Sequence, residues 1–165
     1  MIRGTSIYLR KLTINDLSIL LEWENNPLNW DVSETSEPYT ESEIIDFIVE
    51  QIETDNLDQI RFIICLIDND LPIGAIDLFA IDYLEKKGSV GVLINNQNFR
   101  RKGYASEAIK LLVDISFNSL KLKKIDCLIH KKNVASIQLF EKNDFTLIEN
   151  YPSTNTNKYE LVSHF

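Results

Sequence analysis

The stretch Arg100-Arg101-Lys102-Gly103-Tyr104-Ala105 separates two runs of different period, and that change constrains the chain more than any other feature. Upstream, Ser89-Val90-Gly91-Val92-Leu93-Ile94 alternates as a strand does, with Val90, Val92 and Ile94 on one face. Downstream, Ala105, Ala108, Ile109, Leu112 and Ile115 recur at steps of three and four, the spacing of an amphipathic helix. A strand that turns through a basic, glycine-containing link into a helix start gathers unpaired N–H groups, a positive dipole end and cationic side chains. Such a link suits a phosphate or pyrophosphate. For one glycine in a basic turn, a solvated connection is the plainer alternative.

The flanking elements follow from the same reasoning. Ile7-Tyr8-Leu9-Arg10 reads as a first strand; Thr13 with Asp16 three residues on reads as a near capping box for a helix carrying Ile14, Leu17, Leu20 and Leu21. Asn25-Asn26-Pro27 stops it, because the residue before proline avoids helical angles. Thr40 caps a second helix through Ile44, Ile45, Ile48 and Ile52. Residues 60–67 and 71–80, joined by Asp68-Asn69-Asp70, read as a hairpin, and 89–94 as the third member of a meander. After the long helix, 125–129 reads as a strand, Asn133 caps another helix, and 146–151 closes the sheet with 159–162. The order strand, two helices, three strands, helix, strand, helix, two strands predicts an α/β (α+β) fold. One mixed sheet should carry helices on both faces, in a single domain over residues 1–165.

Composition narrows the function. A net charge of −8 argues against a general nucleic-acid binder and is compatible with a cationic acceptor drawn in by long-range steering. No apolar run approaches the roughly 18 residues that span a bilayer, so no membrane partner is expected. The opening Met1-Ile2-Arg3-Gly4-Thr5-Ser6 lacks the apolar core of a secretion signal, which points to the cytoplasm. Cys65 and Cys127 fall inside strands and read as buried thiols, and neither they nor His130 and His164 have the spacing of a metal site.

Arg100-x-x-Gly103-x-Ala105 matches the (Gln/Arg)-x-x-Gly-x-(Gly/Ala) signature of the GNAT superfamily of N-acetyltransferases. The segment Asn133-Val134-Ala135-Ser136-Ile137-Gln138-Leu139-Phe140-Glu141-Lys142-Asn143-Asp144-Phe145 resembles that family's second cofactor segment, Asn-x-x-Ser-x-x-Leu-Tyr-Glu-Lys-x-Gly-Phe. The front of the chain, through Leu9-Arg10, Asp16-Leu17, Trp23-Glu24-Asn25-Asn26 and Pro38-Tyr39, resembles the branch of spermidine and ribosomal-protein N-terminal acetyltransferases.

The resemblance implies an acetyl-CoA-dependent acyltransferase that needs no metal. Arg100, Arg101, Lys102, Gly103, Tyr104 and Ala105 would then hold the pyrophosphate, and Val92, Leu93 and Ile94 would pair with the pantetheine amides as an added strand. It implies a bulge in the central strand, which Gly91 would ease. Asn133, Ser136, Phe140 and Lys142 fall in the second cofactor segment. Asp77 matches an acid of the polyamine branch, with a role as ligand or base for the acceptor amine, and a solvated strand carboxylate is the alternative. Glu34, Glu37 and Tyr39 lie in the loop where the superfamily binds its variable acceptor.

Three positions depart from the family pattern. Ser89 stands where relatives often carry a glutamate, Phe140 stands for the tyrosine that protonates the leaving thiolate, and Asp144 replaces a glycine after the helix. That leaves Tyr104, another residue, water or no acid at all to protonate the thiolate. The implied function is acetyl transfer to a polyamine or similar small cationic amine. The alternatives are acetylation of a peptide N-terminus, as in the ribosomal-protein branch (alanine or serine), and a low-turnover CoA-binding module. Self-association is a further expectation, because that branch often pairs or forms larger rings.

Overall fold

The computed structural model describes residues 1–29 and 37–164. Its strands are β1 (Ile2–Arg3), β2 (Ile7–Lys11), β3 (Ile60–Leu66), β4 (Pro72–Asp82), β5 (Lys87–Ile94), β6 (Lys124–His130), β7 (Thr146–Tyr151) and β8 (Thr156–Val162). Its helices are α1 (Leu17–Asn25), α2 (Glu41–Glu53), α3 (Tyr104–Asp114) and α4 (Val134–Lys142). The eight strands form one sheet in the order β1-β2-β3-β4-β5-β6-β8-β7, antiparallel everywhere except between β5 and β6. The expected α/β fold with one mixed sheet is what forms. The short β1, which hydrogen-bonds to β2, is an addition to the expected order.

Two cores lie on opposite sides of the sheet. α3 and α4 cover the face carrying Ile64, Ile76, Leu78, Val90 and Ile125, to which α3 adds Ala108, Ile109 and Leu112. α1 and α2 cover the other face, where Leu20, Trp23, Ile44 and Ile48 meet Tyr8, Ile63, Cys65 and Ala75. The period-2 alternation of β3 and β4 allows both, because successive side chains leave opposite faces. The two cysteines sit on different faces, both buried and unpaired, and burial pushes both thiols up.

The expected caps form. Thr13 and Asp16 build a reciprocal capping box, and so do Thr40 and Glu43, where Glu43 N–H donates to Thr40 Oγ1 at 3.2 Å. The first of these opens a 3-10 turn over Ile14–Asp16 that leads into α1. Two close approaches position the site. A Cβ at Gly74 would lie 2.0 Å from the Leu93 carbonyl oxygen, so only glycine lets β4 come this near the end of β5. Gly103 takes φ +84° at the head of α3, a left-handed conformation that other residues adopt at a cost.

The candidate active site

β5 pairs with β6 only over Lys87, Gly88 and Ser89, which face Lys124, Ile125 and Asp126. Beyond Ser89 the two strands part, and among the described residues no strand pairs with the β6-side edge of Val92, Leu93 and Ile94. On its other side, β5 stays fully laddered to β4, from Ser89 opposite Phe79 to Ile94 opposite Gly74. That ladder runs unbroken through Gly91, opposite Asp77; its irregularity lies between Phe79 and Asp82. The bulge expected at Gly91 is therefore absent from this ladder. Past the parting, β5 stays paired with β4 and β6 with β8, with no extra residue in β5.

The basic turn leads from the end of β5 into α3. Arg101 (φ +60°) and Gly103 are both left-handed, and a Cβ on Gly103 would meet nothing within 4 Å. The first N–H groups of α3 have no intrahelical acceptor, and the dipole adds positive potential there. Arg101, Lys102 and Gly103 are exposed at this spot. Arg100 is tied back, donating from Nε to the Ile94 carbonyl at 3.0 Å, so it braces the turn against β5. Tyr104 opens α3 and packs against the α3-side core with Ala105. The geometry suits a pyrophosphate, and the open edge of β5 suits an extended arm with two amides.

Around the parting, a cleft of about 650 Å³ is lined by residues of α1, α2, β3, β4, β5 and β6. Asp77 lies in it but is already engaged. Arg61 donates from Nε and Nη2 to its two oxygens at 2.7 Å each, and from Nη1 to Glu24 at 2.7 Å. Gln59 adds a bond to Asp77 at 3.2 Å. The Arg61 guanidinium stands 4.9 Å over the Phe47 ring. Burial works against its charge, but the two carboxylates outweigh that and hold it firmly protonated. Asp77 is therefore half of a forked ion pair, with neither oxygen left uncommitted for use as a base. Three carboxylates (Glu24, Glu43 and Asp77) and one guanidinium line the cleft, leaving an excess of negative charge.

Tyr39 also lines the cleft, clamped by Asn25: Tyr39 N–H donates to Oδ1 at 2.7 Å, and Nδ2 donates to the Tyr39 carbonyl at 3.0 Å. Glu37 is exposed just before it, and Glu34 lies outside the described residues. Ser89 also lines the cleft.

The second cofactor segment is partly structural. Asn133 Oδ1 accepts from the Ser136 N–H at 3.2 Å, so that oxygen serves the helix cap. Ser136 is half-buried on the first turn of α4, and Lys142 is exposed on its last. Phe140 is only 4% exposed and meets Phe145 edge-on at 5.0 Å. The expected cofactor contact of its ring is replaced by core packing. The helix ends in a Schellman motif, with Phe145 N–H on the Phe140 carbonyl and Asp144 N–H on that of Glu141, both at 3.1 Å. Asp144 takes φ +69°, so aspartate fills the left-handed place of the family's glycine. The Phe140–Phe145 contact is the apolar clasp that accompanies such ends.

Sequence reasoning missed Arg61, Asn25 and Asp126. Arg61 had a readable signal, since folding the hairpin about Asn69 sets it opposite Asp77, as the ladder does. Asp126 had none, because the β5–β6 register depends on a crossover helix. Among the described residues, no group of three or more His, Cys, Asp or Glu could hold a metal, and no helix is long and apolar enough to cross a membrane.

With the parted strands, the basic elbow and the acidic cleft in place, comparison with known proteins gives the class. The profile of the family described as an acetyltransferase (GNAT) domain matches residues 6–146, and the chain belongs to that family of acyltransferases. Among curated relatives, "Uncharacterized N-acetyltransferase p20" of Bacillus licheniformis is 28% identical over 139 residues, covering 83% of this chain and 77% of the relative. "Spermidine N(1)-acetyltransferase" of Escherichia coli strain K12 is 27% identical over 74 residues, 45% of this chain and 39% of the relative. Among solved structures, the spermidine N-acetyltransferase of Vibrio cholerae in complex with CoA and spermine shares the fold. Its TM-score is 0.84 at 23% identity, with 96% of each chain covered.

Proposed function

We propose that the protein transfers the acetyl group of acetyl-CoA to a primary amine of a polyamine or a similar small cationic amine. The observation that carries the reading is the meeting of two features: an unpartnered edge of β5 leading to a basic helix start, and an excess of carboxylate beside it. The first fits a diphosphate with an amide-bearing arm, and the second fits an ammonium. The names of the relatives support the same choice, one being called a spermidine N(1)-acetyltransferase and the solved neighbour holding CoA and spermine.

In this reading Arg101, Lys102 and the N–H groups from Gly103 to Ala105 hold the diphosphate, with Arg100 as brace. The β5 edge at Val92, Leu93 and Ile94 orients the arm so that the thioester lies at the parting beside Ser89. Ser136 and Lys142 line the approach along α4, and Asn133 fixes the start of that helix. Glu24, Glu43 and the Arg61–Asp77 pair draw in the cationic acceptor, with Tyr39 and Glu37 at the mouth. Phe140 supplies no proton, so the departing sulfur takes one from the amine itself or from water.

The test mixes protein and acetyl-CoA with spermidine, spermine, an aminoglycoside and a short peptide, and follows thiol release. Acetylated polyamine is the expected product. Turnover of peptide alone would replace the acceptor, and CoA binding without thiol release would replace the activity.

A further inference from the structure

Ser89 and Asp126 are the last pair of the short β5–β6 ladder, at the point where the strands part and the cleft opens. The Ser89 hydroxyl donates to Asp126 Oδ1 at 2.6 Å, and Asp126 Oδ2 lies 3.6 Å from Lys158 Nζ. Ser89 lines the cleft, whereas Asp126 is not part of its lining and has its side chain 17% exposed. The lining acids are committed elsewhere: Asp77 and Glu24 to Arg61, Glu43 to the Thr40 N–H at 2.8 Å.

We infer that Ser89 and Asp126 form the proton-accepting pair for the acceptor amine, Ser89 touching the amine and Asp126 acting through it. This rests on the acetyl-transfer reading above. Ser89 Oγ takes one proton from the bound ammonium as its own proton moves to Asp126 Oδ1. The neutral amine forms the C–N bond to the thioester carbonyl carbon. The C–S bond then breaks, and a second N–H proton passes to the departing sulfur. The products are the acetamide and CoA thiol, and protonated Asp126 returns its proton to solvent through Ser89. Protons and charges balance, and no acid at residue 140 is needed. Ser89 is the catalytic residue of the pair; Asp126 is a positioning residue that receives the proton at one remove.

The charged and titratable groups around Asp126 include Lys158 and Glu160 on β8, Lys124 and the buried Cys127 thiol on its own strand, Lys87 on β5 and Tyr151 on β7. Glu160 is its ladder partner, and Lys124 reaches Glu160 at 3.9 Å. His130, four residues further along β6, has Nδ1 turned back to the Lys132 N–H at 3.3 Å.

Asp126→Asn and Ser89→Ala are compared with wild type by kcat across the pH range, with CoA affinity and Tm as checks on the fold. Each variant should lose about a hundredfold in kcat at neutral pH, and the double variant no more than either alone. In both, log kcat should climb with a slope near one toward the amine's own pKa, because only amine deprotonated by solvent reacts. A uniform fall at every pH, or additive losses in the double variant, would mean a structural role only and overturn the pair. Ser89→Ala removes one hydroxyl and reads the same outcome if Asp126→Asn fails to fold. Wild type that releases no thiol with any amine would instead sink the acetyl-transfer reading, and the pair with it.

Discussion

Arg61 bonds two carboxylates at once, Glu24 on α1 and Asp77 on β4, with all three side chains no more than 16% exposed. Removing the cation leaves two buried negative charges side by side, so Arg61→Met should cost roughly 3 kcal/mol or more in denaturant unfolding. Arg61→Lys keeps the charge but loses the fork to Asp77, and should fall between the two. Asp16 makes a pH prediction. Burial pushes its carboxyl up, but the Arg10 fork at 2.8 Å and the Thr13 N–H outweigh this and hold it below the usual carboxylate range. A folded value below the unfolded one adds stability that is present above the unfolded value near 3.8 and lost as pH falls through the folded one. Asp16→Asn should therefore be less stable at neutral pH and lose less on acidification, as thermal unfolding across the acid range would register.

At the scale of elements, the parting of β5 and β6 depends on β4 holding β5 from the other side. Gly74→Ala drives a methyl into the Leu93 carbonyl and the Ile94 Cα, backbone that cannot swing aside. It should cost about 1–3 kcal/mol by overpacking and, on the proposed acetyl-transfer reading, weaken CoA binding, since the edge at Leu93 and Ile94 moves with it. Phe140 is the corresponding element-scale residue of α4. Phe140→Ala removes both the core packing and the clasp of the Schellman end, and should cost about 3–5 kcal/mol in chemical unfolding. Its hydroxyl-free ring is consistent with this role, because a buried phenol would need a partner.

For the whole molecule, the proposed polyamine reading makes a testable use of the net charge of −8, which would give a cationic acceptor an attractive long-range field. Raising the salt from about 0.05 to 0.5 M should lower kcat/KM for a polyamine more than kcat, because the Debye length shrinks several-fold over that range. A neutral amine of similar size should show little change, and an equal response from both would show that steering plays no part.

Local chemistry carried far in this chain. The capping boxes at Thr13 and Thr40, the Asn133 cap, the meander and the left-handed turn at Gly103 all follow from near neighbours, because hydrogen bonds three residues apart and φ preferences are properties of a short segment. The basic elbow and the fold class were readable for the same reason. What tertiary structure alone decided is which polar groups are already taken. Arg61 reaches Asp77 across sixteen residues and Glu24 across thirty-seven, turning an apparent base into half of an ion pair. Ser89 meets Asp126 across thirty-seven residues, through a parallel pairing that exists only once α3 has crossed the sheet. No sequence period encodes such distant meetings, since they depend on how whole elements stack.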